Sequence, residues 1–282
     1  MSEIRFGSWA GALVVAAVAL TPPAAQAQAG AGLAAHRAIY DLKLSRSVGK
    51  RQIVAVRGRI LYDFTGSSCE GYGLQFRQVS ELDSGEGKVT LSDLRATTWE
   101  DGAAKAFRFQ SQNFVDQQPV DTVDGKAERK SDDGLAITLT KPQTKDFSLD
   151  PGMLFPAEHM RRIIEAARAG KSIVEVPVYD GSETGEKVFN TLTVIGHEIA
   201  PADKPMNDAA AQHSALTGMK RWHVKISYFD KTSAAGEQTP VYSLGFEVLE
   251  NGISRALTLD YGDFIVTGEL TQLELKDSKT CP

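Results

Sequence analysis

The sequence predicts a mainly β protein: a large antiparallel sheet, curled on itself or closed into a half-open barrel, with one amphipathic helix near the middle of the chain. Two patterns carry that prediction. Apolar and polar residues alternate with period two through most of the 282 residues, and short polar turns separate the alternating runs. In the mature chain one long stretch, DPGMLFPAEHMRRIIEAARAG, residues 150–170, instead repeats apolar side chains at the three–four spacing of a helix. No strand sits in a repeated β-helix-β unit, so the strands should pair antiparallel with their chain neighbours. A sheet of about a dozen strands must twist, curl or close to protect its edges; a conventional sandwich is the alternative.

Taken in order, Ala38, Tyr40, Leu42 and Leu44 alternate with Arg37, Asp41 and Lys43, which describes a half-buried strand. Residues 51–64 give a second strand, with Gly58 as its bulge candidate. Tyr72, Leu74 and Phe76 share one face of a third. Residues 88–98 and 104–114 follow, the second reached through an Asp101-Gly102 hairpin turn. Asp124-Gly125 and Asp133-Gly134 read as turns that punctuate two short strands, and residues 135–140 close this half.

After the helix, residues 172–179 carry Pro177 near their end, which suits an edge strand or a bulge. The polar run DGSETG, 180–185, reads as a turn into a strand over 187–199. Residues 200–216, rich in Ala, Pro, Asp and Asn, read as a mobile surface loop. Trp222, Val224, Ile226 and Tyr228 alternate cleanly. Residues 241–250 and 253–260 form a hairpin across Asn251-Gly252, and 264–275 is a last long strand.

In the helix, Met160, Ile163, Ile164 and Ala167 define the apolar face. Pro156 suits the first turn, where its missing N–H is not needed. Gly170 suits the left-handed position just past the end, and Arg168 favours the last turn electrostatically. Such a helix either covers a sheet face or plugs a ligand cavity.

Residues 1–27 read as an export signal rather than as part of the fold. The apolar run WAGALVVAAVAL is shorter than the roughly 20 residues of a bilayer span, and Ala25-Gln26-Ala27 supplies the small-x-small cleavage pattern. No later run is long enough to be a transmembrane segment. The mature chain is therefore expected in a periplasm or outside the cell. The formal net charge is −5, and Lys and Arg are scattered, which argues against nucleic acid and against a polybasic membrane patch. The two cysteines, Cys69 and Cys281, favour a disulfide in an oxidising compartment; free thiols or an intermolecular bridge are the alternatives. Two distant cysteines make no chelating set, and no metal or cofactor is expected.

Sets of residues with catalytic spacing are few: Ser47-Val48-Gly49-Lys50 has the S-x-x-K spacing, but Gly49 breaks the helix that motif needs, and it reads as a strand-end turn. There is no G-x-S-x-G elbow and no H-E-x-x-H, and the five histidines share no ligand spacing. Glu158 and His159 are adjacent, so they point to different helical faces, which argues against an acid–base pair. A curled sheet does offer a concave apolar face of the kind that binds apolar ligands. Its candidate lining is Tyr72, Leu74, Phe76, Phe107 and Phe109.

Three features resemble the EipB family of periplasmic envelope-integrity proteins of alphaproteobacteria. They are DPGMLFPAEHM leading into the helix, VYDGSETGEKVFNT after it, and the pair Cys69 and Cys281. The resemblance runs from AHRAIYDLKLS to the C-terminal cysteine. The strand pattern itself gives β halves at about 36–147 and 172–276 joined by a helix at about 156–169; the resemblance implies that they form one domain over 28–282 with the sheet curled into a spiral. It also implies that Cys69 and Cys281 pair, that the protein maintains the envelope under stress, and that it is linked functionally to a periplasmic tetratricopeptide-repeat protein. It implies no catalytic residue.

Three readings of function follow. The first is a non-enzymatic periplasmic scaffold or interaction protein, whose partner is that repeat protein or a lipid- or peptidoglycan-associated one. The second is a binding protein or carrier for a lipid or other apolar envelope molecule. The third, a peptidoglycan hydrolase or transpeptidase, lacks a nucleophile. The helix stripe is directly testable: Ile163→Asp puts an unpaired charge on the face expected to be buried, and should cost more than about 3 kcal/mol. A variant that melts like the parent would show that the stripe faces water.

Overall fold

The computed structural model describes residues 32–47, 53–85, 87–231, 239–279 and 281. The leader expected at 1–27 lies outside the described residues. Eight strands come first: β1 (His36–Ser47), β2 (Ala55–Ser67), β3 (Gly71–Asp83), β4 (Val89–Glu100), β5 (Ala106–Val115), β6 (Gln118–Arg129), β7 (Leu135–Lys141) and β8 (Lys145–Leu149). Helix α1 (Pro156–Arg168) follows. Then come β9 (Ile173–Val178), β10 (Phe189–Ile199), β11 (Arg221–Asp230), β12 (Tyr242–Leu249), β13 (Ser254–Asp260) and β14 (Phe264–Leu275).

All fourteen belong to one sheet, in the spatial order β8-β7-β6-β5-β4-β3-β2-β1-β14-β13-β12-β11-β10-β9. Each half is a meander of chain neighbours, and the two meanders meet where β1 pairs antiparallel with β14, from His36↔Leu275 to Ser47↔Phe264. The sheet curls without closing, and its ends are β8 and β9. Part of the β9 edge is covered by the chain leading into α1. Leu154 N donates to Pro177 O at 2.9 Å, and Tyr179 N donates to Leu154 O at 3.0 Å. Pro177 has no N–H to give to a further strand, so an edge position suits it. There is no second sheet among the described residues, so the sandwich alternative is not the one adopted.

Alternation along the strands builds the concave core. Tyr40, Ile60, Phe64, Val224, Ile226, Phe246 and Leu259 are buried there with Ile163, Ile164 and Ala167 of α1. Met160 is partly buried at the margin of the same cluster. Full burial of each helix isoleucine contributes about 1.5–3 kcal/mol. The helix stops as its sequence suggests. Gly170 takes a φ of 69°, and Gly170 N and Lys171 N return to Ala167 O and Ala166 O at 3.0 and 2.9 Å. Cys69 and Cys281 are joined by a disulfide across a sequence separation of 212, with Cα atoms 5.7 Å apart. Closing so long a loop removes chain entropy worth at most about 5 kcal/mol in the loop-entropy picture.

A second core forms where the curl overlaps itself. Phe107, Phe109, Val123 and Leu139 of β5–β7 are buried together with Phe155 and Tyr179. This cluster explains two departures from the sequence reading. Asp124-Gly125 is not a turn but lies inside β6, because a Cβ on Gly125 would stand 2.7 Å from the Phe109 ring. The reversal falls earlier, at Asp116 and Gln117, whose φ angles of 49° and 66° are those of a two-residue hairpin turn made without glycine. β8, only five residues long, was also not anticipated; it pairs with β7, and its alternating Phe147 and Leu149 pack against this core. The 200–216 segment is not a free surface loop. Asp208, Ala211 and Leu216 are buried, and Asp208 is held by Arg255 at 2.8 Å.

The DGSETG run is likewise more than a polar turn. Gly181 has a φ of 67°, and a Cβ there would lie 2.4 Å from the Phe109 ring; on Gly185, with φ 77°, it would lie 2.9 Å from Leu139 and Val123. Tyr179 Oη donates to Gly185 O at 2.6 Å and fixes the loop. The loop therefore seats on the second core through two glycine backbones. Gly181→Ala combines a left-handed alanine with overpacking and should cost about 2–4 kcal/mol in urea unfolding. A loss below about 1 kcal/mol would mean that the loop does not press on Phe109.

Candidate functional site

The concave faces of the two meanders and α1 enclose a cavity of about 460 Å³. That volume falls within the range of small-molecule sites, about 300–1,000 Å³. Period-two alternation places its walls: Ile60, Tyr62 and Phe64 from β2; Tyr72, Leu74, Phe76 and Gln78 from β3; Tyr242, Leu244 and Phe246 from β12. Ala157, His159 and Met160 of α1 line it from the helix side. Aromatic rings run in ladders along these walls. His36, Tyr62, Phe64 and Tyr72 follow one another at centroid distances of 5.5, 6.0 and 5.4 Å. In the other meander, Phe189 meets Tyr228 at 6.0 Å and Tyr228 meets Tyr242 at 5.9 Å.

Besides its tyrosines, the lining holds four ionisable side chains, His36, Glu100, His159 and Asp180. Glu100, at the end of β4, is only 2% exposed. Its carboxylate oxygens accept from Ala157 N at 2.7 Å and Glu158 N at 2.8 Å, so a strand residue caps the helix N-terminus. Arg161 stands 3.9 Å away. Burial nonetheless outweighs these partners and pushes the Glu100 carboxyl up to about 7. His159, whose Nε2 lies 3.5 Å from Thr191 Oγ1, is driven down by burial to about 4 and is uncharged at neutral pH. Asp180 accepts from Ser182 N at 2.9 Å. Burial raises its carboxyl as well.

Of the lining expected from sequence, Tyr72, Leu74 and Phe76 face the cavity. Phe107 and Phe109 do not. They are on the same face of the sheet, since Glu100 pairs with both Tyr72 and Phe107. The overlapping end of the curl covers them: Phe155 stacks on Phe107 at 5.2 Å and Tyr179 meets Phe109 edge-on at 5.7 Å. On the helix, Met160 lines the cavity, whereas Ile163, Ile164 and Ala167 sit in the main core. Sequence reasoning missed Glu100, and it set His159 aside on adjacency to Glu158. Glu158 does turn away, accepting from Arg129 at 2.9 Å. The available signal for Glu100 was its place in an alternating strand, on the face opposite Trp99.

Fold and site together define a β-barrel-like protein with an apolar internal cavity. A crystal structure of a β-barrel-like protein from Brucella abortus, of a domain of unknown function, has the same fold. It aligns with a TM-score of 0.79 and 36% identity, over 87% of this chain and 99% of that one. The chain belongs to the EipB-like family, whose profile matches residues 27–277. It is 38% identical over 256 residues, 90% of this chain and 89% of the other, to the cell envelope integrity protein EipB of Brucella abortus strain 2308.

Glu100 makes stability depend on pH in a definite direction. Its carboxyl holds a proton up to about 7 in the folded chain against 4.5 ordinarily, so its contribution is present below 4.5 and lost as pH rises through 7. At 1.36 kcal/mol per pH unit this amounts to about 3 kcal/mol. His159 acts oppositely: its contribution is present above 6.5 and lost as pH falls toward 4. The opposed slopes hide one another in the parent, and Glu100→Gln separates them. Urea titrations should show parent-minus-variant stability falling by about 3 kcal/mol as pH rises from 4.5 to 7. A flat difference would show that the folded state does not hold Glu100 protonated.

Proposed function

We propose that this protein supports cell-envelope integrity in the periplasm without catalysing a reaction, by holding an apolar envelope molecule inside its curled sheet. The observation that carries this reading is the cavity of about 460 Å³, walled mainly by aromatic and aliphatic side chains of both meanders. Kinship with a relative named as a cell envelope integrity protein supports the cellular role. Export as an expected consequence of the leader supports the compartment.

A scaffold is the second reading, with a tetratricopeptide-repeat protein or another envelope component as its partner. It is favoured by Ile173 and Val194, cross-strand neighbours at the β9 edge that are 56% and 49% exposed. One complementation experiment separates the two. In a deletion strain sensitised to detergent, the parent gene should restore resistance, Leu244→Trp, which fills the cavity, should not, and Val194→Glu should. The reverse outcome for the two variants would replace the cavity reading by the scaffold. A deletion strain as resistant as its parent would remove the envelope role itself.

A further inference from the structure

We propose that the cavity selects amphiphiles with a positively charged, ammonium-type head and rejects those headed by carboxylate or phosphate. This inference rests on the cavity reading above and adds the chemistry of the ligand. It starts from an imbalance of charge. Glu100 and Asp180 line the cavity, and neither lysine nor arginine is among its lining residues. The two lining histidines, His36 and His159, are both kept uncharged at neutral pH by burial. An anionic head entering this space would meet the Asp180 carboxylate, while Arg161, 3.9 Å from Glu100, is not among the lining residues.

The two acids are not equivalent. Glu100 is engaged by the helix N–H groups of Ala157 and Glu158 and by Arg161. Asp180 accepts from Ser182 N and has no cationic partner among the described residues. Lys187, in the same connection, is taken by Glu183 and by Asp230 at 3.3 Å. Asp180 is close enough to the Tyr228 phenol for its charge to help raise it. Tyr228 in turn packs against Tyr242 at 5.9 Å. A carboxylate beside tyrosine rings in a largely apolar enclosure is the setting in which an ammonium is held by charge and by ring faces together. Rings of both meanders then take the hydrocarbon portion.

The test uses the mature protein and three probes with the same decyl chain: decylammonium, decanol and decanoate, titrated calorimetrically near neutral pH. Decylammonium should bind at least about tenfold more tightly than decanoate, with decanol between them. Asp180→Asn keeps an oxygen for Ser182 N, so the loop should survive. It should weaken decylammonium about tenfold and leave decanol unchanged. Decanoate binding as tightly as decylammonium, or an ammonium preference that survives Asp180→Asn, would overturn the proposal while leaving the apolar-ligand reading intact. Failure of all three probes to bind would instead count against that underlying reading.

Discussion

The antiparallel pairing of β1 with β14 is the constraint on which the rest of this structure depends. It turns two independent meanders into a single curled sheet, and both walls of the cavity exist only because of it. Other interactions reinforce the same seam. Asp63 of β2 binds Arg37 of β1 at 2.7 Å and Lys276 just beyond β14 at 2.5 Å. Lys276 N also donates to Ala35 O at 2.9 Å, extending the ladder past the end of β14. The Cys69–Cys281 disulfide ties the β2–β3 turn to the tail that follows β14. An unfolded chain must close a long loop to form these contacts, and the covalent link lowers that entropic cost.

The helix is held inside the curl by burial and by a carboxylate from a distant strand. Ile163 and Ile164 give it an apolar face with no exposed surface. Glu100 supplies the acceptors that its first turn needs. The cost is a buried acid at the margin of an apolar cavity, where burial works against ionisation. Helix position, cavity shape and the protonation of Glu100 are thereby linked through the same few atoms. The overlap of the curl does a different task. Phe155, Tyr179 and the glycine loop cover Phe107 and Phe109, so one stretch of the concave face becomes core while its neighbour stays open.

Much of the local structure could be read in the chain. The last strand was bounded at 264–275, and the Asn251-Gly252 hairpin joined the strands expected of it. The helix stripe, Pro156 at its start and Gly170 past its end were legible because they answer to periodicity and to backbone sterics. The misses share a cause. Gly125 looked like a turn because turns and close approaches both select glycine, and only the Phe109 ring opposite decides between them. Residues 200–216 looked mobile because their anchors, Arg255 for Asp208 above all, come from strands far along the chain.

By itself, the sequence determined the class of fold, most of the strands and the one amphipathic helix, since each of these rests on neighbours within a few residues. Only the tertiary structure decided that the sheet stays open at β8 and β9, that β1 meets β14, that Glu100 caps α1, and that Tyr72 lines a cavity while Phe107 is sealed in a core. Those outcomes follow from how far a twisted sheet curls before it overlaps itself. That curl is a sum over many strand pairs, and no single stretch of residues encodes it.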